Sequence, residues 1–316
     1  MITIPPPTAS WSLEESPLIS VVVPSYNHQD FIYSCLESIN LQTYKNIELV
    51  FIDDSSSDET YERAFNLLKT PYGRRFKRID ISKNPKNLGA HDTINLGISR
   101  ATGSLITVIN SDDEFHPERL STIIGEMKRK RSSLGFSLVE VINSSESAHE
   151  GEDLLPFIHF TVRQMLDVQR DVSVGFGLLR KNLAVSTGNM VFTKDLYNIV
   201  GGFLPLKYCH DWDFVLQSLF YCEPVVVLKP LYKYRLHSQN SFKGLAHLAE
   251  VETEVVLRRF FRRVVNAEPI NSFCPSPTNW PGYFEQFVSR MGCSSFLSRE
   301  LGNGLKSWRI YERADR

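Results

Sequence analysis

Charge of either sign is balanced almost to nothing: 35 Lys and Arg against 36 Asp and Glu leave a net charge of −1 over 316 residues. A near-neutral chain has no global field to gather a polyanion, which argues against a nucleic-acid partner. Cysteine is scarce too. The five that occur, Cys35, Cys209, Cys222, Cys274 and Cys293, are odd in number, widely spaced and without a C-x-x-C pair. That pattern fits reduced thiols filling a core better than a disulfide frame or a zinc site. No apolar run approaches the ~18 residues of a membrane span. "MITIPPPTASW" has neither the basic nor the apolar region of a secretory signal. The expected location is therefore cytoplasmic. Glycine is missing where nucleotide folds need it: "PSYNHQD", after the first apolar run, contains none, so there is no G-x-G-x-x-G loop. Neither a G-x-x-x-x-G-K-[ST] loop nor an H-E-x-x-H helix occurs anywhere.

What is present is an ordinary globular composition, 42% hydrophobic and 22% charged. "LISVVVP", "NIELVFIDD", "RFKRIDI", "SLITVIN" and "LGFSLVEVI" are apolar runs of strand length, separated by segments with helical periodicity. In "HQDFIYSCLESINLQ", Phe31, Cys35, Leu36 and Ile39 share a face; "SSSDETYERAFNLL" opens with a capping-box pattern, Ser56 to Glu59. Strands alternating with helices predict right-handed crossovers and a mostly parallel sheet. Further on, "GNMVFT" reads as a strand, "KDLYNIV" and "HDWDFVLQSLF" as helices, and "PVVVLKPLYKYR" as an edge or bent strand because of Pro230. The polar "NSSESAHEGED" reads as an exposed loop.

Ligands of parallel sheets gather at the carboxyl ends of the strands. Asp53 and Asp54 end the second strand, and Asn110 to Asp113 end the fourth, so both acidic pairs belong to one rim. A single aspartate there is ordinarily a helix cap or turn residue. Two adjacent aspartates at a strand end repel unless solvent or a cation lies between them. Without phosphate-cradling glycines, a divalent cation held by carboxylate is the simplest way to neutralise a bound diphosphate.

"ISVVVPSYNHQDFIYSCLESINLQTYKNIELVFIDDSSSDET", followed by "NLGAHDTINLGISRATGSLITVINSDDEFHPERL", resembles the nucleotide-sugar-binding half of family 2 glycosyltransferases. "STGNMVFTKDLYNIVGGF" is similar to the family's acceptor-side segment, "HDWDFVLQ" to its E-D-x-D helix and "YRLHSQNS" to its closing Y-R-x-H segment. The resemblance covers roughly residues 18–242. It implies an α/β GT-A fold with a mostly parallel, Rossmann-like sheet flanked by helices. The implied organisation is a leader (1–17), a catalytic domain (18–142 for the donor, 143–242 for the acceptor) and a helical extension (243–316).

The resemblance also implies roles. Pro24, Ser25 and Tyr26 would line the nucleotide pocket, Asp54 would accept a hydrogen bond from the base, and Asp112 would lie near the ribose and sugar. Asp113 would coordinate Mn²⁺ or Mg²⁺, His237 matches a position that touches the metal in some members, and Asp211 matches the catalytic base. The implied reaction moves one sugar, with inversion, from a nucleotide-sugar such as a UDP-sugar to a hydroxyl of a glycan or lipid-linked acceptor in surface polysaccharide synthesis. A direct displacement needs the leaving diphosphate stabilised by a Lewis acid and the incoming hydroxyl deprotonated by a carboxylate. Asp211 at a helix start is expected to stay ionised through the helix dipole. The sequence departs from the family at Asn110, His210 and Ile94, where an aspartate, a glutamate and an arginine are common. The Q-x-x-R-W motif of polymer synthases is missing. A glycoside hydrolase and a non-catalytic nucleotide-sugar- or glycan-binding protein are the alternatives.

In "EVVLRRFFRRVV", Leu257, Phe260, Phe261 and Val264 share one helical face, and Arg258, Arg259, Arg262 and Arg263 the other. The apolar face is expected to dock on the catalytic domain or on a second copy of the chain. The basic face of this helix, expected over 243–266, suits either water or peripheral attachment to the inner face of an anionic membrane.

Overall fold

β1 (Ile19–Ser25) and β2 (Ile47–Asp53) are apolar on both faces because helices cover both faces of the sheet; β2 is buried throughout and β1 at every residue but Pro24. The computed structural model describes residues 16–143, 159–237, 240 and 244–297. The leader as far as residue 15, the expected polar loop from residue 144 and the last nineteen positions, 298–316, lie outside the described residues.

One sheet of eight strands has the order β3-β2-β1-β4-β7-β6-β8-β5. β3 is Arg78–Lys83, β4 Leu105–Val108, β5 Glu114–Phe115, β6 Leu134–Asn143, β7 Met190–Thr193 and β8 Val225–Leu236. The first four strands in this order run parallel, as the alternating pattern predicts. β7 is antiparallel to both β4 and β6, while β6 and β8 pair in parallel. β8 is bent rather than an edge strand. Pro230 cannot donate to the ladder, and the register shifts where it faces Leu138, yet the strand stays between β6 and β5.

The helices are α1 Ile32–Asn40, α2 Thr60–Leu68, α3 Ala90–Arg100, α4 Arg119–Lys130, α5 Phe160–Arg170, α6 Val174–Arg180, α7 Lys194–Val200, α8 His210–Ser218, α9 Ala249–Asn266 and α10 Tyr283–Arg290; α5 and α6 form in a stretch whose sequence carries no clear periodicity. The capping box at α2 does not form. Ser56 Oγ accepts the Asn27 N–H instead, and Asp58 accepts the N–H of Thr60. Here a contact between two rim loops replaces a local cap.

α9 buries the predicted face: Phe260 and Phe261 are fully enclosed, and Leu257 and Val264 nearly so, in a core they share with β1, β2 and β4. The basic face is not a uniform stripe. Arg259 pairs with Asp213, Arg263 donates to Gln217 and stacks on Phe220, Arg258 pairs with Glu254, and only Arg262 of the four is exposed. The parallel packing of α9 along α8 draws these side chains inward. Among the described residues, no helix is long and apolar enough to cross a membrane.

Candidate active site

Two carboxylate centres sit where the sheet and α8 present their ends. The first follows β4. Asp112 Oδ2 lies 2.8 Å from His237 Nε2 and 4.0 Å from His28 Nε2, while Asp112 Oδ1 is buried with no partner. Ligand atoms of His28, Asp112 and His237 all lie within 4.8 Å of one another. Phe31 packs against both imidazoles, and Ser111 Oγ, 2.7 Å from His28 Nδ1, fixes the orientation of that ring. Burial pushes the Asp112 carboxyl up, but the hydrogen bond from His237 and the nearby His28 outweigh it and leave it below its ordinary value. Burial lowers the pKa of His28, against the pull of the Asp112 charge, a shift toward the neutral form that ligates metal. An ionised carboxylate with an orphan oxygen between two imidazoles fits a divalent cation.

Asp113, the expected ligand, faces the other way. It is wholly buried, with Oδ1 accepting from the Arg235 N–H at 2.8 Å and Oδ2 accepting from Asn110 Nδ2 at 3.0 Å and from the Tyr232 hydroxyl. Burial and the neighbouring Asp112 charge push its carboxyl well above the ordinary range. Asn110, where the family often has aspartate, can donate this bond, and a carboxylate could not. Gly188 is obligatory here: a Cβ would lie 2.0 Å from the Tyr232 hydroxyl and drive it off Asp113.

Asp54 is a hub at the carboxyl end of β2. Its carboxylate accepts from Asn84 Nδ2 and from the N–H groups of Leu88 and Gly89 at 2.8–2.9 Å, fixing the loop that enters α3. Gly89 has φ +89°, a conformation that side chains resist. A carboxylate has about four acceptor sites, so one remains for a ligand donor. Ser25 Oγ is buried without a partner, Pro24 is half-buried, and Tyr26 is 46% exposed at the same rim.

The second centre is Asp211 in the first turn of α8. Oδ2 accepts from Asn182 Nδ2 at 3.0 Å, and Oδ1 from its neighbour's N–H at 2.7 Å. Burial raises its pKa above the ordinary 3.8, with His210 opposing the shift. The helix dipole therefore does not dominate, contrary to the expectation from the helix start alone. His210 is half-buried with Nε2 3.0 Å from Thr187 Oγ1, and desolvation of its ring lowers its pKa.

The segment 182–188 ties the centres together: Asn182 reaches Asp211, Ser186 Oγ accepts from Asn110, and Thr187 meets His210. Val185 in this segment has φ +71°, rare for a β-branched residue and costing about 1–3 kcal/mol. Beside it a cleft of about 400 Å³ is lined by Phe160, Arg163, Lys181, Asn182 and Leu183. Sequence reasoning missed His28 and Asn182. A histidine in the loop after β1, on the same rim as Asp112, was the available signal for the first. Asn182 lies in a stretch without periodicity and left none.

Comparison with known proteins agrees with this architecture. Over 115 residues the chain is 35% identical to the glycosyltransferase GlyG of Streptococcus pneumoniae, covering 36% of each chain. Over 120 residues it is 34% identical to Escherichia coli WfaP, a UDP-Glc:alpha-D-GlcNAc-diphosphoundecaprenol beta-1,3-glucosyltransferase, covering 38% of this chain and 45% of that one. The matched region thus spans about a third to under half of these two curated relatives. Among solved structures, S. aureus TarS (residues 1–349) in complex with UDP-GlcNAc superposes with a TM-score of 0.62 at 16% identity, covering 94% of this chain and 79% of that one. The mannosyltransferase PcManGT of Pyrobaculum calidifontis, in complex with GDP-Man and Mn²⁺, superposes with a TM-score of 0.54 at 13% identity, covering 89% and 85%. These similarities identify the GT-A fold. The profile described as Glycosyl transferase family 2 matches residues 20–184, more than half of the chain, and the protein therefore belongs to that family.

Proposed function

We propose that the protein is an inverting, divalent-metal-dependent glycosyltransferase. It moves a single sugar from a nucleotide-sugar, in our reading a UDP-sugar, to a hydroxyl of a glycan or lipid-linked acceptor in surface polysaccharide assembly. The observation that carries this reading is the unpartnered Asp112 Oδ1 between His28 and His237 at the carboxyl end of β4. The UDP-sugar donor and lipid-linked acceptor in WfaP's name, and the UDP-GlcNAc bound to TarS, support the substrate class.

Asp112, His237 and His28 would hold the cation, a reassignment from Asp113, whose oxygens are turned to Tyr232, Asn110 and the Arg235 N–H. Two imidazoles and one carboxylate suit Mn²⁺ better than Mg²⁺, which prefers oxygen ligands. When bound, the cation supplies positive charge against the departing diphosphate. Asp211, its basicity raised by burial, accepts the proton of the acceptor hydroxyl, and Asn182 holds the carboxylate in place. The cleft beside Asn182 would receive the acceptor, with Phe160 offering an apolar face and Arg163 and Lys181 charge. Pro24, Ser25, Tyr26 and Asp54 would contact the nucleotide.

Incubation with a panel of nucleotide sugars and glycan acceptors, with and without Mn²⁺, tests the proposal. Metal-dependent transfer with an inverted anomeric configuration by NMR is expected. Nucleotide release without transfer would point to a hydrolase, and binding without turnover to a binding module; either would overturn it.

A further inference from the structure

The tail helix α9 lies outside the span matched by the family profile, yet it holds the loop that presents Asp211. Glu252, in the first turn of α9, is only 2% exposed. Its Oε1 accepts the N–H of Lys207 at 3.0 Å, and its Oε2 the N–H groups of Tyr208 and Cys209 at 2.8 and 2.9 Å. These are the last residues before α8, whose N-cap Cys209 makes no side-chain cap. A capping box ordinarily supplies a carboxylate to the N-cap N–H from within the same helix. Here another helix supplies it, and the carboxylate lies at the positive ends of both α9 and α8. The contact is repeated along the pair: Arg259 pairs with buried Asp213, two residues after Asp211, and Arg263 reaches Gln217. α8 is thereby fixed in position and rotation against α9 at its first turn.

We propose that Glu252 is a positioning residue for the transfer reaction, acting through the 207–209 backbone to place the Asp211 carboxylate against Asn182 and the acceptor cleft. The inference rests on Asp211 being the base. Glu252 is buried under the loop and bonds to its N–H groups, and its charge also reaches His210, so its loss acts on Asp211 through the neighbouring residues. Glutamine at 252 offers one acceptor oxygen where three N–H groups now share two. The loop then shifts, and a misplacement of about 1 Å is worth on the order of 100-fold in rate.

The test compares Glu252→Gln with Val264→Ala, a packing deletion elsewhere in α9 at a residue buried away from the loop. Glu252→Gln should lower kcat about 10- to 100-fold while the affinity for UDP with Mn²⁺, measured by calorimetry, stays within about twofold. Val264→Ala should lower Tm without lowering kcat. Hydrogen exchange of the 207–213 amides should accelerate in Glu252→Gln and stay as in wild type in Val264→Ala. Wild-type kcat and exchange in Glu252→Gln would overturn the proposal. So would an equal fall of kcat in both variants in step with Tm, which would make the helix generally structural. Asp211→Asn is run in parallel: if it retains turnover, the base assignment fails, while the exchange data still judge the tie between Glu252 and the loop.

Discussion

Asp112, after β4, and Asp211, in the first turn of α8, are both buried carboxylates, yet their surroundings drive them in opposite directions. Asp112 faces two imidazoles and is held below its ordinary pKa; Asp211 accepts from Asn182 and the Trp212 N–H, and burial holds it above its own. A carboxylate kept ionised suits a cation, and one with raised basicity suits a proton. Such a divergence is how a site assigns two chemical roles to one residue type. The same contrast separates Asp112 from Asp113, adjacent in sequence but turned to opposite sides of the strand end.

The sharpest break is Asp211→Asn. It should reduce kcat by about 10²–10⁴, the usual worth of a general base, while calorimetry shows UDP and Mn²⁺ affinity nearly unchanged. Loss of UDP binding would show that the two centres are not separate. Asp112→Asn should do the reverse. Outer-shell partners alone change metal affinity by about 10- to 100-fold, so removing a ligand should cost at least on the order of 100-fold in Mn²⁺ affinity, read by electron paramagnetic resonance. Asp113→Asn should leave that affinity within about tenfold, because its oxygens serve Tyr232, Asn110 and Arg235. Equal losses in the two variants would restore Asp113 as a ligand.

The third prediction concerns stability. Arg259→Gln removes the charged hydrogen bond that ties α9 to Asp213 of α8, which should cost about 2 kcal/mol in urea unfolding. A fourth follows from the raised pKa of Asp211. The folded state binds this proton more tightly than the unfolded state, so the carboxylate lowers stability as pH rises from 3.8 through the higher folded value. Asp211→Asn should therefore be more stable than wild type above that window and show no such gain below it. Thermal unfolding across pH decides this, and a gain confined to acid pH would reverse the assignment. The smallest effect is expected from Arg262→Gln in co-sedimentation with anionic vesicles. One exposed arginine is worth about 1 kcal/mol at such a surface, and its three neighbours are engaged within the protein.

Much of this was legible in the sequence. The apolar runs of β1, β2 and β4 and the alternation with helices specified the parallel half of the sheet. The acidic strand ends marked the rim, and the Leu257–Phe260–Phe261–Val264 face announced the buried side of α9. The antiparallel β7 was not legible as such, because its four residues carry no signal of direction and depend on β4 and β6 for partners. The expected box at α2 failed for a similar reason: Ser56 found a better donor, Asn27, in a loop distant in sequence.

The amino-acid order marked most of the strands and helices, because hydrophobic periodicity is a local property set by the need to bury one face or two, though α5 and α6 lie in a stretch without it. It also determined that carboxylates gather at the strand ends. Which surroundings each of them meets was settled by the fold. Asp112 meets His28 and His237 across separations of 84 and 125 residues, and Asp211 meets Asn182 and, through residues 207–209, Glu252. Whether a carboxylate ends up ionised, neutral or basic depends on burial and on the donors around it, and those arrive from distant parts of the chain only when it folds.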